Sequence, residues 1–148
     1  MAHEAAAAVK AIRALLSTDT TMISLVGTKI FSEVADRDAV EPYIVIRQRT
    51  SGNDERSFSA RVATCPLYDV GIWVEDKPAS ATAQSGAKRI DVLLDTGTEH
   101  SVTDANGDSW KVIATREGGA WVRQEVDPDT LRKFFWVGGS YRVDVWAA

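Results

Sequence analysis

Few side chains in this sequence are of a type and spacing that could do chemistry. Asp104-Ala105-Asn106-Gly107-Asp108 sets oxygen-bearing side chains at alternate positions, as the first half of an EF-hand loop does to grip calcium. The second half does not follow, since Ser109 stands where that loop needs glycine and Thr115 where it needs a bidentate glutamate. Asn106-Gly107 is instead the strongest short hairpin signal in the chain, and a turn is expected there. Cys65 would act as a nucleophile only with a base in hydrogen-bond reach and a lowered pKa. It precedes Pro66 with no histidine nearby and reads as a small, partly buried thiol. His3 lies at the fraying start of a helix and His100 at the start of a strand; each reads as a surface histidine rather than a metal ligand. Asp69, Asp91, Asp95 and Asp144 are scattered over strand and helix faces, and no spacing joins two of them as acid and base. The glycines form no GxGxxG or Walker-type phosphate loop, and no G-x-S-x-G elbow occurs. No catalytic residue, cofactor or metal is therefore expected, and the chain is not expected to be an enzyme.

Side chains suited to contact are better represented. There are five tryptophans, at 73, 110, 121, 136 and 146. Trp73 is expected in the core beneath a helix. Trp121, Trp136 and Trp146 fall on the terminal strands, where one core does not easily hold all three. Each alone is best read as sheet core, but tryptophan is enriched at interfaces, so at least one of the three is expected to face a partner. Arg47, Arg49, Arg56 and Arg61 make a basic cluster that Asp54 and Glu55 partly cancel. It reads either as a solvated, self-paired loop or as a loop that orders against a neighbour.

The elements that must carry these residues follow from period and caps. Residues 3–17 have helical spacing, with Ala5, Ala8, Val9, Ile12, Leu15 and Leu16 on one face and Glu4, Lys10 and Arg13 elsewhere. Asp19 is placed to cap a short helix, Thr20 to Val26, that Gly27 ends. Strands are expected at Lys29–Val34, Pro42–Thr50 and Leu67–Glu75, with a mobile loop over about 51–62. On Pro42–Thr50, Ile44 and Ile46 share one face, and Tyr43, Val45, Arg47 and Arg49 the other. A second helix begins at Pro78 and runs to about Asp95 on a stripe of Ala79, Ala83, Ala87, Ile90, Leu93 and Leu94. His100–Asp104, Ser109–Glu117, Trp121–Val126 and Phe134–Val145 return to β, with Gly138-Gly139 as a turn or bulge. The fold class is α+β, a single domain over 1–148. A mixed, mostly antiparallel sheet packs against two α-helices in the order α-(short α)-β-β-β-α-β-β-β.

Composition agrees with one such domain. The 148 residues are 45% hydrophobic and 26% charged, ordinary globular values that exclude disordered and fibrous classes. Seventeen Lys+Arg against 21 Asp+Glu give a net charge of −4, which leaves no excess cation for sequence-independent grip on nucleic acid. A single cysteine excludes an internal disulfide framework. Ala2 to Leu16 is too polar to span a bilayer and lacks a signal-peptide pattern, so a soluble intracellular product with no membrane partner is expected.

The assembled motifs resemble the tail-completion, or tail-terminator, proteins of long-tailed (siphovirus-like) phages. AIRALLSTDTTMISLVGTKIF (11–31) is similar to that family's helix, Asp-started short helix and first strand. EPYIVIRQRTSG (41–52) resembles its Pro-Tyr strand and the loop after it. YDVGIWVEDKPASATAQSGAKRIDVLLD (68–95) resembles its Trp-Val strand and second helix, and YRVDVWA (141–147) its closing strand. The likeness runs almost end to end. It implies a structural virion protein: a homo-hexameric ring at the head-proximal end of the tail tube that stops tube growth and joins the tail to the neck. The implied partners are further copies of the chain, the major tail tube protein and a head-completion (stopper) neck protein, with DNA only as passive cargo through the lumen. The implied location is the virion tail and neck, and the host cytoplasm during assembly. A globule of this size has a radius of gyration of about 15 Å, so six in a ring leave a hole of roughly 38 Å, wide enough for duplex DNA. A head-to-tail ring needs two different contact patches. The candidates are loop 51–62 and the edge of the C-terminal strand, with Arg49, Arg56, Phe58, Arg61, Trp121, Trp136 and Trp146 as interface residues. A head-side neck or adaptor protein is the alternative role, and a small-ligand binding module a more distant one.

Overall fold

A computed structural model describes the backbone of residues 2–57, 60–75, 77 and 80–148, and the side chains of these except at 2–3, 51–57 and 60–62. The chain begins with α1 (Ala2–Ser17). It buries Ala7, Ala8, Ala11, Ile12 and Leu16, small residues for the most part, so the helix lies close to the sheet. Glu4 is also buried, contrary to its expected place off the apolar face. The reason is its spacing: 4, 8, 11 and 12 fall on one helical stripe.

The second helix, α2 (Thr20–Val26), has the bounds its caps predict. Asp19 accepts the Met22 N–H at 3.0 Å, and Gly27 closes the helix at φ 63°, donating its N–H to the Ile23 carbonyl. The same aspartate accepts a bond from Arg89 Nε at 3.0 Å, which ties α2 to the third helix, α3 (Ala81–Leu94). The Arg89 guanidinium, helped by the Met22 N–H, holds the Asp19 carboxyl below the ordinary carboxylate value despite its partial burial. Such a group stabilises the fold fully above its unfolded pKa, and the contribution disappears as pH falls through the lower folded value. Asp19→Ala is therefore expected to cost about 1–2 kcal/mol at pH 7, the range of a lost N-cap. The deficit should shrink progressively below about pH 4, where the wild type also loses its charge. Urea melts of both proteins across that range check this.

Helix α3 starts at its Ser80 cap, whose hydroxyl accepts the Ala83 N–H at 3.2 Å. Pro78 and Ala79, where the sequence pattern starts this helix, lie outside the described residues. It buries Ala83, Gly86, Ile90 and Leu94. Among the described residues, no helix is long and apolar enough to cross a membrane.

Among the described residues, seven strands form one mixed sheet: β1 (Ile30–Ser32), β2 (Tyr43–Ser57), β3 (Ala60–Glu75), β4 (Glu99–Thr103), β5 (Ser109–Arg116), β6 (Trp121–Val126) and β7 (Lys133–Ala147). The order is β1-β2-β3-β7-β5-β4, with β6 also on β7; only β1 and β2 run parallel. The α+β class and the mostly antiparallel sheet are as expected, and all four β segments expected after α3 are strands, one more than the order α-(short α)-β-β-β-α-β-β-β counts. Two expectations fail. Residues 51–57 and 60–63 are not a loop but paired strand, the distal half of the β2–β3 hairpin. That half runs past β7, whose pairing with β3 spans Thr64–Glu75, so its strand pairing is with its own hairpin partner. The C-terminal strand is not an edge either. One side of β7 pairs with β3, and the other is shared by β6 over Lys133–Gly138 and β5 over Tyr141–Ala147.

The helices cover one face of this sheet. Ile44, Ile46, Tyr68, Val70, Ile72, Val137, Tyr141, Val143 and Val145 meet the buried stripes of α1, α2 and α3 in the main core. The Tyr68 hydroxyl donates to the Ala5 carbonyl at 3.2 Å and that of Tyr141 to Asp91 at 3.0 Å, so both phenols reach polar partners at the core margin.

A candidate interaction face of arginine and tryptophan

The other face of the sheet carries no helix and has its own smaller cluster: Val45, Trp73 and Trp136, with Tyr43, Trp121 and Phe134 against it. Cross-strand register builds it. Residues directly opposite in antiparallel strands share a face, so pairing sets side chains from β2, β3, β7 and β6 in rows. One row is Tyr43, Trp73, Trp136, Arg123; the next is Val45, Gly71, Gly138, Trp121; the third is Arg47, Asp69, Ser140. The middle row has no Cβ on β3 or β7, and the indoles fold into that space. A Cβ on Gly71 would lie 2.8 Å from Trp136 Nε1.

The rings are packed against one another and capped by cations. Trp73 and Trp136 are stacked with centroids 5.8 Å apart, and Trp121 leans on Trp136 at 4.6 Å. The Arg123 guanidinium lies 4.1 Å from the Trp121 centroid and 5.2 Å from that of Trp136, and Arg47 lies 5.1 Å from Trp136. These are cation–π distances, and the guanidinium planes shield the rings from water. Beside them, Asp69 is only 4% exposed. It accepts the Ser140 hydroxyl at 2.5 Å and Arg123 Nη1 at 3.0 Å, and Arg49 Nε stands 3.4 Å away. Ser140 in turn accepts the Trp121 indole N–H at 3.1 Å. Next to this cluster a cleft of about 640 Å³ opens between residues 33–41 and the sheet, floored by Tyr43, Val45, Trp73 and Phe134.

The expected interface residues separate on this geometry. Arg49 and Trp121 belong to the face. Trp136 is its floor, 1% exposed, and supports a contact surface without forming one. Trp146 pairs across from Lys111 and borders a small cavity with Glu4 and Trp110, outside the three rows. Arg56 and Arg61 oppose each other in the hairpin, with side chains outside the described residues, as is all of Phe58. Trp73, expected beneath a helix, is on the uncovered face instead. Arg123 escaped sequence reading, although alternation in β6 sets Trp121, Arg123 and Glu125 on one side.

The residues first considered for chemistry are engaged structurally. Asp104 organises its turn, accepting the N–H groups of Asn106 and Asp108 at 2.9 and 3.0 Å and the Trp110 indole N–H at 2.9 Å. Among the described residues no group of three or more His, Cys, Asp or Glu side chains could hold a metal ion. Burial, with Asp144 beside it, pushes the Cys65 thiol up to about 11, opposite to what a nucleophile needs. Asp91 meets the Tyr141 hydroxyl and Arg116, Asp95 the Arg116 N–H, and Asp144 the Arg142 guanidinium. His100 is half-buried on β4 rather than at the surface.

No family model and no curated protein matches this chain. Among solved structures, a chain of the virion of a native gene transfer agent particle is similar over 97% of this chain and 98% of its own, with a TM-score of 0.53 and 20% identity. A second solved chain is similar over 97% of this chain and 94% of its own, with a TM-score of 0.51 and 11% identity. At these identities the likeness is one of fold, and fold alone does not carry function.

Proposed function

We propose that this chain is a structural protein of a phage-like virion that assembles as a ring, hexameric by the family resemblance, on the head-proximal end of the tail tube. There it ends tube growth and joins the tail to the neck. The observation that carries this reading is the end-to-end likeness in fold to a chain of a gene-transfer-agent virion, with nearly all of both chains matched. The resemblance of its sequence to tail-terminator proteins supports it independently. So does the uncovered face, where arginines over tryptophans are the side chains that interface cores favour. In this reading the partners are further copies of the chain, the tail tube protein and a head-side neck protein. DNA passes through the ring without being gripped, which suits a subunit of net charge −4. The chain has no catalytic role in it.

Polymerising tail tube protein with and without this chain, and viewing the products by negative-stain microscopy, tests the proposal. Shorter tubes, each ending in a distinct ring, are expected. Tubes of unchanged length with bare ends would overturn the terminator role and favour a head-side neck protein with the same fold.

A further inference from the structure

The uncovered face is cationic at its centre. Arg47, Arg49 and Arg123 surround one carboxylate, Asp69, which engages only the last two. Arg47 is exposed, held by its contact with Trp136, and has no carboxylate partner among the described residues. With Glu125 also on this side of β6, a protein of net charge −4 thus presents a local surplus of about one positive charge over an aromatic floor.

The complement is on the same chain. Residues 33–41 hold four carboxylates (Glu33, Asp36, Asp38, Glu41) and one cation (Arg37). Glu33 accepts the Gln48 N–H at 3.0 Å, while Asp36 and Asp38 are exposed, with no cation partner among the described residues. Val34 and Val40 in this segment are 76% and 67% exposed, among the most exposed large apolar side chains described. An acidic segment with two bare valines matches a surface of arginines and half-buried aromatic rings in both charge and apolar character.

We propose that the uncovered face of the sheet receives residues 33–41 of a second copy of this chain, carboxylates on Arg47 and Arg49 and valines against the aromatic rings. This rests on the ring reading and names the contact that would join its subunits: residues 33–41 border the face of their own copy, with Ala35 packed against it, and in the proposed contact they reach the face of the next copy.

Charge exchange in the full-length chain tests it. Arg47→Glu alone and Asp36→Lys/Asp38→Lys alone should each weaken self-association by about tenfold or more, measured by sedimentation, because like charges then face each other. A 1:1 mixture should recover wild-type association. Alternating copies oppose the reversed pair at one junction and the native pair at the next. Arg47→Gln should lie between wild type and Arg47→Glu, and thermal melts should show all variants folded. Wild-type association in both single variants would overturn the proposal. Weakened variants with no recovery on mixing would also overturn it, and would give the face to a different acidic protein. Tube capping is scored in parallel. Variants that cap like wild type leave the ring reading standing without this contact. Charge rescue in solution with no capping by the wild type or by the rescued mixture leaves the contact standing without the terminator role.

Discussion

Gly138→Ala is expected to destabilise the protein by about 3 kcal/mol, at the upper end of the usual cost of overpacking. A Cβ there would lie 2.1 Å from the Val70 carbonyl oxygen and 2.5 Å from Gly71 Cα. The obstacle is backbone in the two central strands, β3 and β7, and no rotamer change relieves it. For a domain of this size the loss corresponds to a fall in melting temperature of roughly 10 °C. Gly119→Ala is the internal control: nothing lies within 4 Å of a Cβ there, and its melt should match the wild type. Gly71→Ala should lie close to Gly138→Ala, since its Cβ would strike both the Trp136 indole and the Val137 carbonyl at 2.9 Å or less. Equal melting temperatures for Gly138→Ala and Gly119→Ala would show that β3 and β7 do not meet at this register.

Trp136→Ala is expected to cost about 3–5 kcal/mol, the range for emptying a large aromatic from a core. Its ring is 1% exposed and is the common support of the face: Trp73 stacks on it, Trp121 leans on it, and Arg47 and Arg123 lie over it. Removing it opens a cavity at the point where the three rows meet. Trp136→Phe should cost much less. It keeps an aromatic surface and removes an indole N–H that is buried with no hydrogen-bond partner among the described residues. Calorimetric melts of the two variants check the ordering, and a Phe variant as unstable as Ala would refute the platform role. Trp136→Ala should also weaken self-association more than its stability loss predicts at temperatures where it remains folded, because Arg47 loses the ring that holds it in place.

The sequence by itself determined most of the local structure. Asp19 and Gly27 bound α2 because a cap is a contact between residues three or four apart, and Asn106-Gly107 turns because its conformational preference is local. Alternation on β2 separated Ile44 and Ile46 from Val45 and Arg47, since a strand's period of two decides which residues share a face. It does not decide which face the helices cover, which is why the pattern alone places Trp73 on the wrong side. Nor does it show which strands lie beside β7. That depends on pairings between residues as far apart as Val70 with Gly139 and Thr64 with Val145. The distal hairpin is illegible for a related reason: residues 51–63 have no apolar alternation, and their pairing shows only in the register of the two strands. Arg47, Asp69, Ser140, Trp136 and Arg123 come from four strands, and only the register of the folded sheet brings them together. Periodicity and capping act over one or two turns of chain, whereas this face is a product of long-range pairing, and only the tertiary structure could reveal it.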